Sequence, residues 1–276
     1  MARTAVWTPE RAVPGRTANR AERHRRFVVS LVLLIYVISL VEGPLRKWFF
    51  PEFATPIYFL RDPFLMVLYA YSLKYGLMTR GALAHNWLNF AVFTTAIGLL
   101  PFFIYGIDLR AWVLGARTYW LYLPLAFVVA NTFRREDIER FMRWNVLLAM
   151  PYAVLVIYQY QSSPWAWINK SISADDAAVT VSFGIVRPNG LFTYTNQSVW
   201  FTAYLVANYI ACLFLPRRAR PGLLLLVSGA VAIASLTVLT GSRSIYFLVA
   251  TVVGASLVGS TLARPGGACT LHEGYN

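Results

Sequence analysis

The sequence is poor in the residues that build metal sites and nucleophilic sites, with three histidines and two cysteines in 276 positions. His24 and His272 lie near the two ends and His85 lies in a short loop, so they suggest neither a histidine metal site nor a Ser-His-Asp arrangement. Cys212 and Cys269 show no CxxC spacing and make no disulfide framework. No glycine-rich phosphate loop follows a strand. We therefore predict no metal and no cofactor.

Charged residues are also scarce, at 13% of the chain, which is about half the share that a soluble domain carries. Apolar residues make up 58%, the mean hydropathy is +0.53, and the apolar residues are gathered into long blocks rather than spaced as stripes. Many tryptophan and tyrosine residues lie at the block ends, where amphipathic rings favour a membrane interface. A soluble protein with apolar core helices would need polar stripes, so the pattern predicts helices that cross a lipid bilayer.

The apolar blocks predict an all-α fold, a polytopic transmembrane helical bundle of about eight spans. Each block has 15 to 20 residues, and the shorter ones need interfacial residues at their ends to cover a hydrocarbon core roughly 30 Å thick. The predicted spans are Phe27–Val41, Pro63–Met78, Trp87–Tyr105, Ala111–Ala130, Trp144–Tyr160, Val199–Leu215, Gly222–Thr240 and Ser244–Leu262.

The basic residues predict the orientation of these spans. The net charge is +13, but the arginines cluster in alternate loops, so the charge follows the positive-inside rule and we predict no nucleic-acid partner. With a cytoplasmic N-terminus, 16 of the 25 basic residues fall on the cytoplasmic side. The predicted organisation is a basic cytoplasmic tail over residues 1–26, a transmembrane domain over 27–262 with a longer outer loop at 161–198, and a short polar tail over 263–276.

Six arginines depart from the positive-inside rule, because they lie on or just below the predicted outer surface. A single outer arginine is ordinarily an interfacial anchor that snorkels to the headgroups. Six together indicate a site, since a guanidinium fork matches phosphate oxygens bidentately and stays charged at any relevant pH. An outer cluster of this kind suits a lipid-linked pyrophosphate. The six are Arg46, Arg61, Arg110, Arg117, Arg187 and Arg243.

Two outer segments carry these arginines in distinctive surroundings. In RPNGLFTYTNQSVW, which begins at Arg187, the Pro-Asn-Gly sequence up to Gly190 indicates a turn, and Asn196 places an amide at the start of the sixth span. In LTGSRSIY, Arg243 lies at the tip of a tight hairpin between the seventh and eighth spans. A helix cap and a turn explain each segment without any function, so spacing alone does not assign a site here.

The chain resembles the O-antigen polymerase and O-antigen ligase family of bacterial envelope glycosyltransferases. RPNGLFTYTNQSVWFTAYL is similar to the family's Arg-x-x-Gly-x-Phe-x-x-x-Asn stretch, and LTGSRSIYFLVA is similar to its Thr-x-Ser-Arg hairpin. EGPLRKWFFPE with FLRDP, and LGARTYWLYLPLAF, resemble the N-terminal part of exopolysaccharide-polymerase-like members. Together these segments cover most of residues 42–250.

This resemblance implies polymerisation or ligation of an undecaprenyl-pyrophosphate-linked glycan at the periplasmic face of the bacterial inner membrane, by metal-independent, inverting glycosyl transfer. The implied partners are the lipid-linked glycan, the lipid bilayer, and proteins for polysaccharide chain length or export. The implied catalytic residues, which bind the pyrophosphate and stabilise its departure, are Arg187 and Arg243. The implied substrate-binding residues are Arg117, Arg46, Gly190 and Asn196.

Two other functions stay open on the sequence alone. Family members usually have ten or more spans and a further large periplasmic loop, which supplies a histidine in the ligases. The chain is therefore expected to be a shortened or truncated member, and an inactive remnant is one alternative. The other is a transporter or flippase component for lipid-linked or anionic substrates. That function needs a polar path through the spans, for which the sequence offers only Arg117 and Lys74.

Overall fold

A computed structural model describes residues 14–78, 81–106, 108–170, 172, 181–182 and 185–262 of the chain. The described chain is helical except for one two-stranded hairpin and short connections, which confirms the predicted all-α class. The chain forms two compact units. The first unit comprises Met1–Val37 and Arg61–Phe133, and the second comprises Ile38–Leu60 and Arg134–Asn276. The predicted polar tail at 263–276, and residues 1–13 of the predicted basic tail, lie outside the described residues.

The secondary structure consists of eleven described helices, four short turns of other helix types and one hairpin. The helices are α1 (Pro14–Pro44), α2 (Ala54–Tyr58), α3 (Asp62–Lys74), α4 (Ala82–Gly98), α5 (Leu100–Tyr105), α6 (Leu109–Arg117), α7 (Leu125–Thr132), α8 (Arg135–Gln161), α9 (Thr195–Leu213), α10 (Leu223–Leu239) and α11 (Arg243–Leu262). Turns of π-helix lie at Leu45–Phe49 and Thr118–Tyr122, and 3-10 turns lie at Pro51–Phe53 and Trp167–Asn169. Strands β1 (Val181–Ser182) and β2 (Ile185–Val186) are antiparallel, with Val181 opposite Val186 and Ser182 opposite Ile185.

Each predicted span coincides with a helix or with consecutive helices, although α1 and α8 begin well before the spans predicted at Phe27 and Trp144. Within the described residues, five stretches are long and apolar enough to cross a membrane: Asn19–Phe49, Ala84–Tyr105, Trp112–Thr132, Arg135–Gln161 and Arg243–Thr261. The helices at the other three predicted spans differ in length or polarity: α3 has 13 residues, α10 has 17, and α9 carries several polar side chains. The eight-span topology and the cytoplasmic N-terminus therefore stay predictions.

Helix α1 begins well before its apolar block, inside the predicted basic tail. Glu22 supports this extension, because its carboxylate accepts from Arg25 at 3.1 Å and from Arg26 at 2.8 Å, three and four residues along the helix. Such pairs stabilise a helical surface by a few tenths of a kcal/mol each. Hydropathy identifies only the apolar part of a helix, which is why the sequence places the start of the span at Phe27 and not at the start of the helix.

In the first unit, α1 packs against α3 and α7. The buried core there consists of Val28, Leu31, Val32, Ile35, Leu65, Leu68 and Val128. The four α1 residues recur at the three- and four-residue spacing that places side chains on one face of a helix. Between helices in a membrane, van der Waals packing rather than exclusion of water supplies the attraction, because lipid tails are as apolar as the side chains. Close fit along this face therefore holds the first unit together.

In the second unit, α8 packs against α9 and α10, and α9 packs against α10 and α11. Gly229 of α10 lets that helix approach α8 closely, because a Cβ added to it would lie 2.7 Å from Cγ1 of Val146. Small residues at helix crossings are typical of membrane proteins, since they bring the two backbones into close contact. The buried clusters of this unit are Val146 with Cys212 and Leu215, and Val199 with Ala203 and Ile245.

The connection between α8 and α9 coincides with the predicted loop at 161–198. Its described part contains the 3-10 turn at Trp167–Asn169 and the hairpin of β1 and β2. Asn169 is buried, and its Nδ2 donates to the carbonyl oxygens of Gln159 at 3.1 Å and Ser163 at 3.0 Å. These hydrogen bonds tie the start of the loop to the end of α8. The loop then returns through β2 to the segment that begins at Arg187.

Candidate functional site

The segment after β2 brings Arg187 to the turn between α10 and α11. Gly241 occupies that turn with a φ of +59°, a left-handed conformation that glycine adopts without steric cost. A Cβ added to Gly241 would lie 3.5 Å from Cγ of Arg187, so the aliphatic part of Arg187 lies along the turn. Arg243, two positions later, is the first residue of α11. Both arginines to which the resemblance gives a catalytic role therefore belong to one region of the second unit.

These two arginines carry positive charge that the described residues do not neutralise. Arg187 is half-buried and Arg243 is exposed. Within the described part of the chain, neither guanidinium forms an ion pair with a carboxylate. Each guanidinium presents a planar fork of donors that matches two oxygens of a phosphate group. The region around the α10–α11 turn can therefore attract and bind an anionic group.

The turn at Asn189 and Gly190, just after Arg187, is fixed by two buried side chains. Gln159 of α8 donates from Nε2 to Asn189 Oδ1 at 3.3 Å and to the Gly190 carbonyl at 3.2 Å, and its Oε1 accepts from the Gly190 N–H at 2.8 Å. Lys47, on the π turn after α1, donates to the same two oxygens at 3.0 Å and 2.8 Å. Lys47, Gln159 and Asn189 are at most 2% exposed. The two side chains thus hold the backbone that carries Arg187.

Gly190 is required in this turn by its conformation and by its neighbour. Its φ is +59°, and an added Cβ would lie 2.5 Å from Cε2 of Tyr152. The Tyr152 ring is 2% exposed and its hydroxyl is 2.6 Å from Oγ of Ser198, so the ring has little freedom to move. We expect Gly190→Ala to lower the free energy of unfolding by about 2–5 kcal/mol. The cost of a left-handed backbone at alanine adds to the cost of overpacking against Tyr152. Thermal unfolding of the purified protein measures this change.

The matched control for that substitution is Gly254→Ala in α11. A Cβ added to Gly254 meets nothing within 4 Å. We expect this variant to be as stable as the wild type or more stable by up to about 1 kcal/mol, because alanine is a better helix former than glycine. Equal stability of Gly190→Ala and Gly254→Ala would contradict the assigned contact between Gly190 and Tyr152.

Two further predicted residues lie in the second unit with different surroundings. Arg46 donates from Nη1 to Glu42 at 3.2 Å, one helical turn earlier, and its guanidinium carbon lies 4.9 Å from the ring centroid of Tyr58. This pairing compensates much of the Arg46 charge. Asn196 is exposed on the first turn of α9 and is accessible to a ligand. Their roles as substrate-binding residues stay predictions.

In the first unit, Arg117 is held by a buried carboxylate. Its Nε donates to Oδ2 of Asp62 at 2.7 Å and its Nη2 donates to Oδ1 at 2.6 Å. The Tyr122 hydroxyl donates to the same Oδ1 at 3.1 Å, and the Tyr122 ring centroid lies 5.2 Å from the guanidinium carbon of Arg117. The side chains of Arg117 and Asp62 are 7% and 11% exposed. This geometry is that of a structural ion pair, and the predicted role of Arg117 in substrate binding stays a prediction.

The first unit also contains a cleft of about 300 Å³ between α4, α5 and α6. Its walls include Thr95, Phe102, Asp108 and Trp112. Trp112 Nε1 already donates to the Thr95 carbonyl at 2.9 Å, and Asp108 accepts from the Arg110 N–H at 2.9 Å as the N-cap of α6. The cleft therefore has a mostly apolar lining, and its polar groups already support the local fold.

Across the part of the chain that the structure describes, no group of three His, Cys, Asp or Glu residues is placed to hold a metal ion.

The sequence patterns did not reveal Lys47, Gln159 and Asn189 as functional candidates. Gln159 offers one signal, because an amide inside an apolar block is costly unless it is hydrogen-bonded. Its partner Gly190 lies 31 positions away, and Lys47 is separated from Asn189 by 142 positions. Local spacing cannot identify contacts of such range. Lys47 follows Arg46 in the segment EGPLRKWFFPE, and no pattern in that segment distinguishes it.

Comparisons with protein-family models, with curated proteins and with solved structures find no match to this chain. The resemblance of the two arginine segments to the O-antigen polymerase and ligase family therefore stays a prediction. A fold alone does not imply a function, so the function has to be argued from the chemistry of the site.

Proposed function

We propose that this chain is a glycosyltransferase of the O-antigen polymerase or ligase type. It polymerises or ligates an undecaprenyl-pyrophosphate-linked glycan at the periplasmic face of a bacterial inner membrane. The observation that carries the proposal is the contact of Arg187 with the turn that leads into Arg243, where the described residues supply no carboxylate to either arginine. Guanidinium groups that keep their charge and their donors fit a pyrophosphate better than they fit an uncharged sugar.

In the proposed reaction, a hydroxyl of the acceptor glycan attacks the anomeric carbon of the donor sugar. The bond between that carbon and the pyrophosphate oxygen breaks, and the glycosidic bond forms with inversion. The hydroxyl proton passes to water or to the departing pyrophosphate, and undecaprenyl pyrophosphate leaves. Negative charge grows on the departing oxygen as its bond to carbon breaks. Arg187 and Arg243 stabilise this charge, a contribution of about 10²–10³-fold in rate where the donors are pre-positioned. The hydrogen bonds of Lys47 and Gln159 supply such positioning next to Arg187.

A polyprenyl-linked donor requires an enzyme that acts at the membrane, because the hydrocarbon chain of the donor stays in the bilayer. The long apolar helices are compatible with that location. The orientation predicted from the basic residues assigns the loop at 161–198 and the α10–α11 turn to the same, periplasmic, face. Proteins for chain length or export are the partners expected at that face.

Purified protein in liposomes that contain undecaprenyl-pyrophosphate-linked glycan tests this proposal. With a matching acceptor, we expect release of undecaprenyl pyrophosphate together with a longer glycan, both followed by mass spectrometry. Protein-free liposomes set the background. Passage of the lipid-linked glycan across the bilayer at unchanged mass would contradict glycosyl transfer and favour a transporter or flippase. Absence of both activities in a stably folded preparation would favour the inactive remnant.

A further inference from the structure

Lys47 is a buried lysine whose side chain forms no ion pair with a carboxylate among the described residues. It is 1% exposed, and its ammonium donates to two uncharged acceptors, Asn189 Oδ1 and the Gly190 carbonyl. The ring centroid of Trp48 lies 4.6 Å from Nζ. Within the described chain no carboxylate lies within 4.0 Å of the Lys47 ammonium, and Glu42, on the preceding turn, is paired with Arg46. Two hydrogen bonds and a ring face compensate the lost hydration in part, and none of these partners carries a negative charge.

Two neighbouring side chains have buried donors that lack an acceptor among the described residues. These are Nδ2 of Asn189, whose Oδ1 binds Lys47, and Nε1 of Trp48, whose ring faces Lys47. A single buried donor without an acceptor is uncommon in native proteins and calls for a water, an ion or a ligand. Here two such donors adjoin a buried ammonium. Both donors require an acceptor, and an acceptor that carries negative charge would in addition pair with the Lys47 ammonium.

The number and placement of the donors indicate the chemistry of that acceptor. The ammonium, the amide and the indole belong to three different side chains, on the π turn at Leu45–Phe49 and on the turn after β2. A tetrahedral oxyanion offers a separate oxygen to each donor, whereas a carboxylate offers two oxygens in one plane. Turns of π-helix are also frequent at functional sites. A phosphoryl group is therefore the best match in charge and in shape.

We propose that a phosphoryl oxyanion binds beside Lys47, where it accepts from the Lys47 ammonium, the Trp48 indole and the Asn189 amide. This site is built by the same turn that carries Arg187, but it does not depend on glycosyl transfer. Its ligand is inorganic phosphate or the phosphate of a lipid headgroup, which share this chemistry. Binding ties the π turn to the turn at Asn189, so it stabilises the folded second unit.

The substitution Asn189→Asp provides the decisive test, because it introduces a carboxylate where the proposed anion binds. It keeps the Oδ1 that accepts from Lys47, removes the donor that lacks an acceptor, and neutralises the ammonium. In phosphate-free detergent buffer we expect Asn189→Asp to unfold at a higher temperature than the wild type. Inorganic phosphate at about 100 times its Kd should lower the equilibrium constant for unfolding of the wild type about 100-fold. Chloride keeps the ionic strength constant in this comparison. The same phosphate should leave Asn189→Asp almost unchanged.

A second pair of variants tests the same phosphate site if Asn189→Asp folds poorly. Trp48→Phe removes only the indole N–H and keeps a ring beside Lys47, so we expect phosphate to bind about tenfold more weakly. Trp165→Phe is the control, because Trp165 is 76% exposed, and its response to phosphate should equal that of the wild type. Stabilisation by inorganic phosphate identifies a free anion as ligand. Stabilisation only in phosphatidic-acid vesicles identifies a lipid headgroup.

Two results would overturn the site. One is a wild-type protein whose unfolding temperature responds to neither inorganic phosphate nor phosphatidic acid. The other is a phosphate response of equal size in wild type, Asn189→Asp and Trp48→Phe, which would place the anion elsewhere. Neither result depends on a donor glycan. Failure of this proposal therefore does not contradict the proposed reaction. Loss of glycan transfer in a variant outside this site does not contradict phosphate binding beside Lys47.

Discussion

Replacing Arg187 with alanine is expected to lower the rate of glycan transfer by about 10²–10³-fold, because a pre-positioned donor to a developing negative charge contributes that much. The protein should still reach the membrane in wild-type amount, since the Arg187 side chain forms no ion pair among the described residues. Initial rates of undecaprenyl pyrophosphate release in liposomes measure the effect. Lys170→Ala is the matched control, because Lys170 is an exposed basic residue of the same loop, and we expect it to retain wild-type activity.

Lysine substitutions separate a role in catalysis from a role as an interfacial anchor. Arg187→Lys and Arg243→Lys keep the charge but lose the planar fork, so we expect rates between those of the wild type and of the alanine variants. The double alanine variant should be scarcely slower than either single variant, because groups that act on one charge are strongly non-additive. An anchor predicts equal activity in all these variants. Wild-type rates for Arg187→Ala at equal protein would refute the site.

The helices were predictable because an apolar block long enough to cross a bilayer can do so only as a helix. Backbone groups in a bilayer must be hydrogen-bonded within the segment, so an apolar block of sufficient length becomes a helix. The predicted block Trp144–Tyr160 lies within α8, and Gly222–Thr240 covers α10. The same rule does not say where a helix continues into polar sequence. The start of α1 at Pro14, in the predicted basic tail, was therefore not predicted.

The site was predictable only where a short stretch of sequence determines the local structure or charge. The Pro-Asn-Gly sequence before Leu191 indicated a turn, and Gly190 indeed has a left-handed φ of +59°. Arginines against the positive-inside trend indicated Arg187 and Arg243. The partners of a buried polar group are not local, because they depend on which helices meet. Only the folded structure therefore shows that Lys47 contacts a turn 142 residues later, and that a π turn carries Lys47.

Replacing Arg117 with alanine is expected to lower the free energy of unfolding by about 3–5 kcal/mol, because it leaves the Asp62 carboxylate buried without its cation. The Asp62 carboxylate accepts two hydrogen bonds from Arg117, at 2.7 Å and 2.6 Å. In the alanine variant it would retain only the hydrogen bond from the Tyr122 hydroxyl, at 3.1 Å. A loss of this size is a large part of the 5–15 kcal/mol that typically stabilises a folded protein. The drop in unfolding temperature, followed by tryptophan fluorescence in detergent, measures it.

Removing both charges of this pair is expected to restore most of the stability. In Arg117→Leu combined with Asp62→Asn, neither side chain of the pair is charged, and replacing a buried ion pair by groups of similar volume is often close to neutral. A double-mutant cycle with the two single substitutions isolates the pair. If Arg117 has only this structural role, glycan transfer recovers together with stability in the double variant. If Arg117 binds the substrate, as the resemblance implies, stability recovers while transfer stays low, because leucine cannot donate to a phosphate or a sugar.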